Sequence, residues 1–468
     1  MEIKQLRIKV QDLTLGMYVS SLDRPWSETP FPLQGFYVRK PKDIAVLKTY
    51  CEYVGIDITK GKAPINYGSP ATPIGGSSSS RMRTTSSAEP LALKVNSAAA
   101  SIPPSPIPIK HGVYETTVPL RIEARMAERI VRNVKGQLAL ATKQLNKGKG
   151  LDVVSLRKAS DQMVASVLRC PDAMTWLLRL RQKDQYTNDH SLRSALWALQ
   201  YARYVGMAKL DIEMLCLGVL LKDVGKLRLP NALLRQGRRT EEQETEYRQF
   251  VQYGVEMLSE EPNIPPQVIS IVKYHCERLD GSGFPQGVSG RKIPLLARIA
   301  GIATTYDAFA NPREAEEPVA PSRAVSLLYN MRNSAFQEDL VVSFIQSVGL
   351  YPTGTMVELT TGDLAVVLDQ QPASRLLPRV AVLHPWSDDL NKSHLIINLQ
   401  DQEESRRILL AAGRLKSASA DRIAIARDLE PTGYDVDFNK ISQAMLEQQV
   451  GDEVESGLFA RIKARFGI

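Results

Sequence analysis

Cysteine is scarce in this chain. Its 468 residues hold four, Cys51, Cys170, Cys216 and Cys276, and no two form a CxxC pair. That spacing excludes a disulfide framework and a thiolate zinc site, and it points to a reducing compartment. Long apolar runs are absent too: no uncharged stretch approaches the roughly 18 residues needed to span a bilayer. The segment from Met1 to Val10 is charged and has no apolar h-region, so it does not read as a secretory signal. The expectation is a soluble, cytoplasmic protein with no membrane partner. Basic residues exceed acidic ones, 59 against 51, for a net charge of +8 and a pI near 9.1. The excess is scattered, with no dense Lys/Arg block interleaved with aromatics, which argues against a nucleic-acid groove.

What is present is enough apolar material for one large core and one or two small ones, since 43% of the chain is hydrophobic. Residues 1–60 alternate short β-like stretches (Leu6 to Val10, Met17 to Ser20, Gly35 to Arg39) with a turn-rich middle and a helix-like stretch from Asp43 to Tyr53. They read as a small α+β domain. Residues 61–112 shift to Pro, Ser, Ala and Gly, a composition that buries too little apolar surface to offset its ordering entropy. That segment is read as a flexible linker. From 113 to 350 apolar residues recur at helix spacing, as in Leu192, Ala195, Leu196, Leu199 and Ala202, which predicts a helical bundle. Residues 351–440 switch to strands (Met356 to Leu359, Leu364 to Leu368, Val380 to Leu383, Leu395 to Leu399), a β extension. Residues 441–468 read as a charged helical tail.

Chemistry-bearing residues concentrate between Tyr186 and Arg313. His190-Ser191 comes first, then Lys222-Asp223-Val224-Gly225-Lys226 and His275-Cys276-Glu277-Arg278-Leu279-Asp280-Gly281-Ser282-Gly283-Phe284-Pro285. Tyr306-Asp307-Ala308 closes the series. A His, an Asp and a second His on separate helices are suited to a divalent metal, because neutral imidazole and carboxylate are its usual ligands. A buried, hydrogen-bonded structural histidine explains any one of them equally well. The glycines of the 280–285 turn permit close backbone approach to a ligand, or simply a tight turn.

In this order the motifs HS, DxGK, HxERxDGSGFP and YDA closely resemble the HD-GYP family, and Pro171-Asp172-Ala173, Trp176-Leu177 and Pro230 agree with it. The likeness runs from about Val113 to Leu399. Residues 1–60, with Gly16-Met17-Tyr18-Val19-Ser20, resemble the small domain of unknown function often fused ahead of such proteins. The resemblance implies a mainly α fold: an HD-type helical bundle with a small N-terminal α+β module and a C-terminal β extension. It implies bacterial cyclic-di-GMP signalling, which in the family commonly governs biofilm, motility and virulence. It also implies a phosphodiesterase that uses two or three metal ions.

Transferred residue by residue, the family's metal ligands fall at 190, 222, 223, 250, 275, 276 and 304. Of these, His190, Asp223 and His275 keep the ligand, while Lys222, Phe250, Cys276 and Thr304 have lost it. The chain has five histidines in all, and no spare imidazole lies in the motif region. A protonated amine at 222 cannot ligate a cation and repels it. Phe250 has no lone pair, Thr304 lacks the formal negative charge, and Cys276 ligates only as a thiolate. By the resemblance, Asp223 and Lys226 are the catalytic positions. Lys222, Arg278, Asp280, Gly283, Phe284, Pro285 and Arg313 are those facing a ligand. The expectation is a degenerate, non-hydrolytic receptor or scaffold of cyclic-di-GMP signalling with a protein partner and no cofactor. The alternative is a phosphodiesterase with an altered metal site that uses iron or manganese.

Overall fold

The protein is described by a computed structural model over residues 5–24, 36–38, 41–57, 104–145, 147–180, 186–312, 319–370, 376–383, 395–415 and 422–429. It divides into two units, Met1–Ala100 and Ser101–Ile468. Residues 61–103 of the expected linker, the expected tail at 441–468 and Arg313 all lie outside the described residues.

In the first unit, strands β1 (Gln5–Lys9), β2 (Tyr18–Leu22), β3 (Phe36–Tyr37) and β4 (Tyr53–Asp57) form an antiparallel sheet in the order β1-β4-β2-β3. Helix α1 (Pro41–Tyr50) precedes β4. Met17, Val19, Val38, Leu47, Val54 and Ile56 make the buried core. Here the structure corrects the sequence reading, which extended the helix to Tyr53. The helix stops at Tyr50, and the Asp23 carboxylate accepts the Glu52 and Tyr53 amides at 2.7 and 2.8 Å, turning the chain into a strand. Tyr53, Val54 and Ile56 then supply the β-favouring side chains of an interior strand.

The second unit is mainly helical. Its helices are α2 (Leu120–Leu145), α3 (Val153–Arg169), α4 (Pro171–Leu180), α5 (Tyr186–Tyr204), α6 (Lys209–Leu221), α7 (Asn231–Arg235), α8 (Glu241–Arg248), α9 (Phe250–Ser259), α10 (Pro266–Tyr274), α11 (Leu295–Ala310), α12 (Pro321–Asn330) and α13 (Glu338–Val348). Local sequence sets several starts. Asp152 caps α3 through the Ser155 amide, and Thr240 and Gln243 form a capping box on α8. Helix α6 is apolar on every side, with Met214 to Leu221 all buried, so it is the central helix that α5, α3 and α10 pack around. The chain is already pinned before α2. Ser105 accepts from Gln337, the Lys110 amide donates to Val205, and the Tyr114 hydroxyl donates to Met207. Over residues 104–112 the expectation of a flexible linker therefore fails, because backbone groups there find partners on the bundle.

The β extension comprises β5 (Met356–Leu359), β6 (Leu364–Asp369), β7 (Arg379–Val382), β8 (Leu395–Asn398), α14 (Gln402–Ala411) and β9 (Ile425–Asp428). The strands pair antiparallel in the order β8-β7-β6-β5-β9. Period-two alternation loads both faces. Val357, Val367, Val380 and Ile397 pack under Leu409 of α14, while Met356, Val366, Leu368 and Ala381 pack on Trp176 of α4. The sheet is thus seated on the bundle, and β9 is tied down where the Asp428 carboxylate accepts the Ser322 amide and hydroxyl at 2.8 and 2.6 Å. Helix α14 and strand β9 were not foreseen from the sequence.

Candidate functional site

Five segments bring the motif residues together. The start of α5 supplies His190 and Ser191, and the end of α6 supplies Lys222 as its C-cap. Asp223 and Lys226 follow on a 3-10 turn, His275 is the C-cap of α10, and Thr304 and Asp307 lie on α11. Gly225 is required by contact, because a Cβ there would strike the Phe250 carbonyl and the Gly254 backbone at α9. The DxGK segment and α9 are therefore locked in register.

The Asp223 carboxylate lies at the centre, buried, with both oxygens engaged. Oδ1 accepts from Lys226 Nζ at 2.6 Å, and Oδ2 accepts from Lys222 Nζ and from Ser191 Oγ at 3.2 Å. Burial alone would raise the Asp223 pKa, but the two ammoniums override it and hold the group well below the ordinary carboxylate range. Burial pulls Lys222 below its usual value, although Asp223 opposes this. Lys226 goes the other way: Asp223 outweighs burial and pushes it up. With both lysines protonated the cluster carries one net positive charge. The Lys222 side chain is 0% exposed, so the expectation that it touches a ligand fails on burial. Its ammonium is an internal counter-charge, and only Lys226, 16% exposed, reaches toward solvent.

Around this cluster stand His275, Cys276, Phe250 and Thr304. His275 Nδ1 lies 2.8 Å from the Val272 carbonyl, to which it donates, leaving the Nε2 lone pair facing Cys276 Sγ at 3.3 Å. Burial, and then the charge of Lys222, drop the His275 pKa to about 3, so the ring is neutral. Burial lifts the Cys276 thiol to about 12 and keeps it protonated. The Phe250 ring is a plug: it stands 4.9 Å from Lys226 Nζ, 6.0 Å from the His275 ring and 6.1 Å from Phe284. The Thr304 hydroxyl is buried without a hydrogen-bond partner.

A layer further in, Asp307 gathers four donors. His190 Nδ1 is at 2.7 Å, Arg193 Nε at 2.9 Å, Trp197 Nε1 at 3.2 Å and Asn311 Nδ2 at 3.0 Å. Burial would raise this carboxyl, but Arg193 and His190 hold it below its usual value. Burial and Lys222 lower the pKa of His190, so that ring too is neutral. Sequence reasoning quoted Ser191 and Asp307 only within their motifs and passed over Arg193 and Trp197. The signal was there in the spacing, since 190, 193 and 197 share one face of a helix.

The 276–285 loop is held by its own chain. A Cβ on Gly283 would collide with the backbone of Cys276, Glu277 and Arg278, so this glycine serves a backbone crossing rather than the approach of a ligand. Arg278, expected to face a ligand, bends back to donate to the His275 and Glu277 carbonyls at 3.3 and 3.0 Å and covers the Phe336 ring at 4.9 Å. Asp280 is exposed and closes a local turn on the Ser282 amide at 2.9 Å. Phe284 is half-buried against Phe250, and the Phe284-Pro285 peptide is cis.

These donors do not fit a metal pair. Both Asp223 oxygens are bound by ammoniums, position 304 offers a neutral hydroxyl, and the only thiol at hand is protonated. Among the described residues no three His, Cys, Asp or Glu side chains converge as ligands.

Comparison with known proteins agrees on the family. The "HD domain" family matches residues 175–340, and "Domain of unknown function (DUF3391)" matches residues 5–156. The chain is 28% identical over 406 residues to the cyclic di-GMP phosphodiesterase PA4108 of Pseudomonas aeruginosa, covering 86% of this chain and 91% of that one. It is 31% identical over 147 residues to the cyclic di-GMP phosphodiesterase response regulator RpfG of Xanthomonas campestris pv. campestris, covering 31% of this chain and 39% of that protein. Among solved structures it aligns with Bd1817, a HDG"Y"P protein from Bdellovibrio bacteriovorus, at a TM-score of 0.42 and 12% identity, over 73% of this chain and 98% of that one. Over residues 175–340 this chain is therefore similar to HD-domain proteins, and its DUF3391 match begins in the small N-terminal sheet and runs into the first helices of the bundle. Among the described residues no helix is long and apolar enough to cross a membrane.

Proposed function

We propose that this chain is a regulatory protein of cyclic-di-GMP signalling that does not hydrolyse the dinucleotide. The observation that carries this reading is the buried Lys222 ammonium on Asp223, standing where the resemblance puts an imidazole ligand. An internal cation supplies the charge of a metal without its open coordination sites, so water is not activated and phosphate oxygens are not clamped. The net positive charge of the cluster and the partly exposed Lys226 support binding of a phosphodiester at its mouth. The likeness to PA4108 along 91% of that relative's length supports cyclic-di-GMP as the ligand.

The second reading is a phosphodiesterase with an altered metal site, iron or manganese being the candidates. It is favoured by the inner layer, where His190 is still oriented by Asp307 as a metal-ligating imidazole would be. Calorimetric titration with cyclic-di-GMP, with and without manganese, together with chromatography of the products and metal analysis, separates the readings. The proposal expects saturable binding without linear product and less than one bound transition metal per chain. Steady turnover with two metals per chain overturns it. Absence of binding leaves a scaffold that works through a protein partner alone.

A further inference from the structure

Away from this centre, helix α2 presents an apolar and basic face. Ile122, Met126 and Leu140 are 53%, 50% and 52% exposed. At 3.6 residues per turn they fall on one side of the helix, and the exposed Arg125, Arg129 and Lys143 flank them on that side. Arg132 is matched by Glu128 at 3.3 Å, but among the described residues neither Arg125 nor Arg129 has an ion pair. Exposed apolar groups rimmed by charge mark a contact surface. A second copy of this face is a poor match, because it brings like charges together.

The chain itself supplies a better one. Its last described residue, Leu429, shares a buried cluster with Trp176 of α4, and α4 packs on α2. The next residues of α4, Leu177 and Leu178, line a cleft of about 110 Å³ together with Val131, Arg132 and Lys135 of α2. The chain therefore continues from a point beside α2. Residues 441–459 hold Glu447, Asp452, Glu453 and Glu455 and no Lys or Arg. Leu446, Val450, Val454 and Leu458 recur there at every fourth position, the spacing of an apolar helix face. The stretch from Leu429 to Ile441 reaches about 40 Å, as long as the 26 residues of α2, so the acidic segment can lie anywhere along that helix.

We infer that residues 441–459 dock on the exposed face of α2 in the same chain, with their apolar side chains on Ile122, Met126 and Leu140 and their carboxylates on Arg125 and Arg129. Exposed ion pairs are individually weak, and tethering supplies the effective concentration, on the order of millimolar, that such a contact needs. The cleft between α2 and α4 is also lined by Arg193, which holds Asp307 behind His190. The docked segment thus lies next to the layer that orients the candidate site.

Hydrogen exchange of the full chain, read by mass spectrometry at two protein concentrations, tests this. Peptides from 441–459 should exchange about tenfold or more slower than a free peptide of the same sequence, equally at both concentrations. Glu447→Lys with Glu455→Lys should remove that protection. Adding Arg125→Glu with Arg129→Glu, both at exposed positions, should bring it back, since the charges are then exchanged across the contact. Unprotected 441–459 in the unaltered chain, protection that survives the glutamate reversal, or no recovery on the charge exchange overturns the inference. Protection that rises with protein concentration overturns it in favour of a second copy.

Discussion

Asp223 and Asp307 are both buried carboxylates, both held below their ordinary pKa, and both sit in the ligand region. Their surroundings differ in kind. Asp307 is met by one arginine and three donors that are neutral here, in directions an imidazole-orienting carboxylate uses. Asp223 is met by two ammoniums and a hydroxyl, with an aromatic plug alongside. The contrast teaches that one buried carboxylate is engaged in orienting an imidazole while the other is engaged by internal cations, as the proposed loss of metal ligands would require.

If that is so, restoring the ligands should restore the site. Lys222→His, Phe250→His, Cys276→His and Thr304→Asp together should raise transition-metal affinity on the order of 10³-fold or more, measured by metal analysis after dialysis. A folded revertant that takes up no metal would show that the change reaches beyond the first ring of residues.

Single substitutions sharpen the comparison. Asp223→Asn leaves two buried ammoniums facing each other and should cost about 3 to 5 kcal/mol, much as Asp307→Asn should by stranding Arg193. Lys222→Met removes a charge and keeps the volume, and Asp223 retains Lys226. It should therefore cost less than about 1 kcal/mol, or stabilise. Chemical denaturation of the three variants reads this directly, and a Lys222→Met loss as large as that of Asp223→Asn would show that the lysine is required by the fold.

Acid should act on the same cluster. His275 is held near 3 in the folded state, against an unfolded value of about 6.5. Only the unfolded chain takes up this proton between those limits, so its contribution is complete above pH 6.5 and is lost as pH falls. The slope is at most about 1.4 kcal/mol per pH unit. His275→Asn should flatten the stability profile between pH 6.5 and 4.5. An unchanged slope would place the acid sensitivity elsewhere.

The smallest effect concerns the entry segment. Removal of residues 1–103 should leave a cooperative melt within a few degrees of the full chain, whereas removal of 1–119 should lower it further by stripping the bonds of Lys110, Tyr114 and Thr117 to the bundle. Equal melts for the two truncations would mean those bonds contribute nothing measurable.

Much was legible beforehand. Helix periodicity and strand alternation are local patterns, so the bundle and the strands from Met356 to Asn398 follow from neighbours in sequence. So do the identities of the exchanged ligands, because Lys222, Phe250, Cys276 and Thr304 are what they are wherever the chain goes. β4 was hidden because the Asp23 carboxylate that turns the chain at Tyr53 comes from 30 residues away, and α14 fell between the last strand read, ending at Leu399, and the expected tail at 441–468. Asp307 was hidden because a carboxylate becomes a hub only when α5 and α11 are packed together. Charge, composition and residue identity are properties of the chain, and by themselves they carried the resemblance, the helical class and the residues that stand at 222, 250, 276 and 304. Burial belongs to the packed fold. Only the tertiary structure decided that Lys222 is internal and that Arg278 turns away from the site.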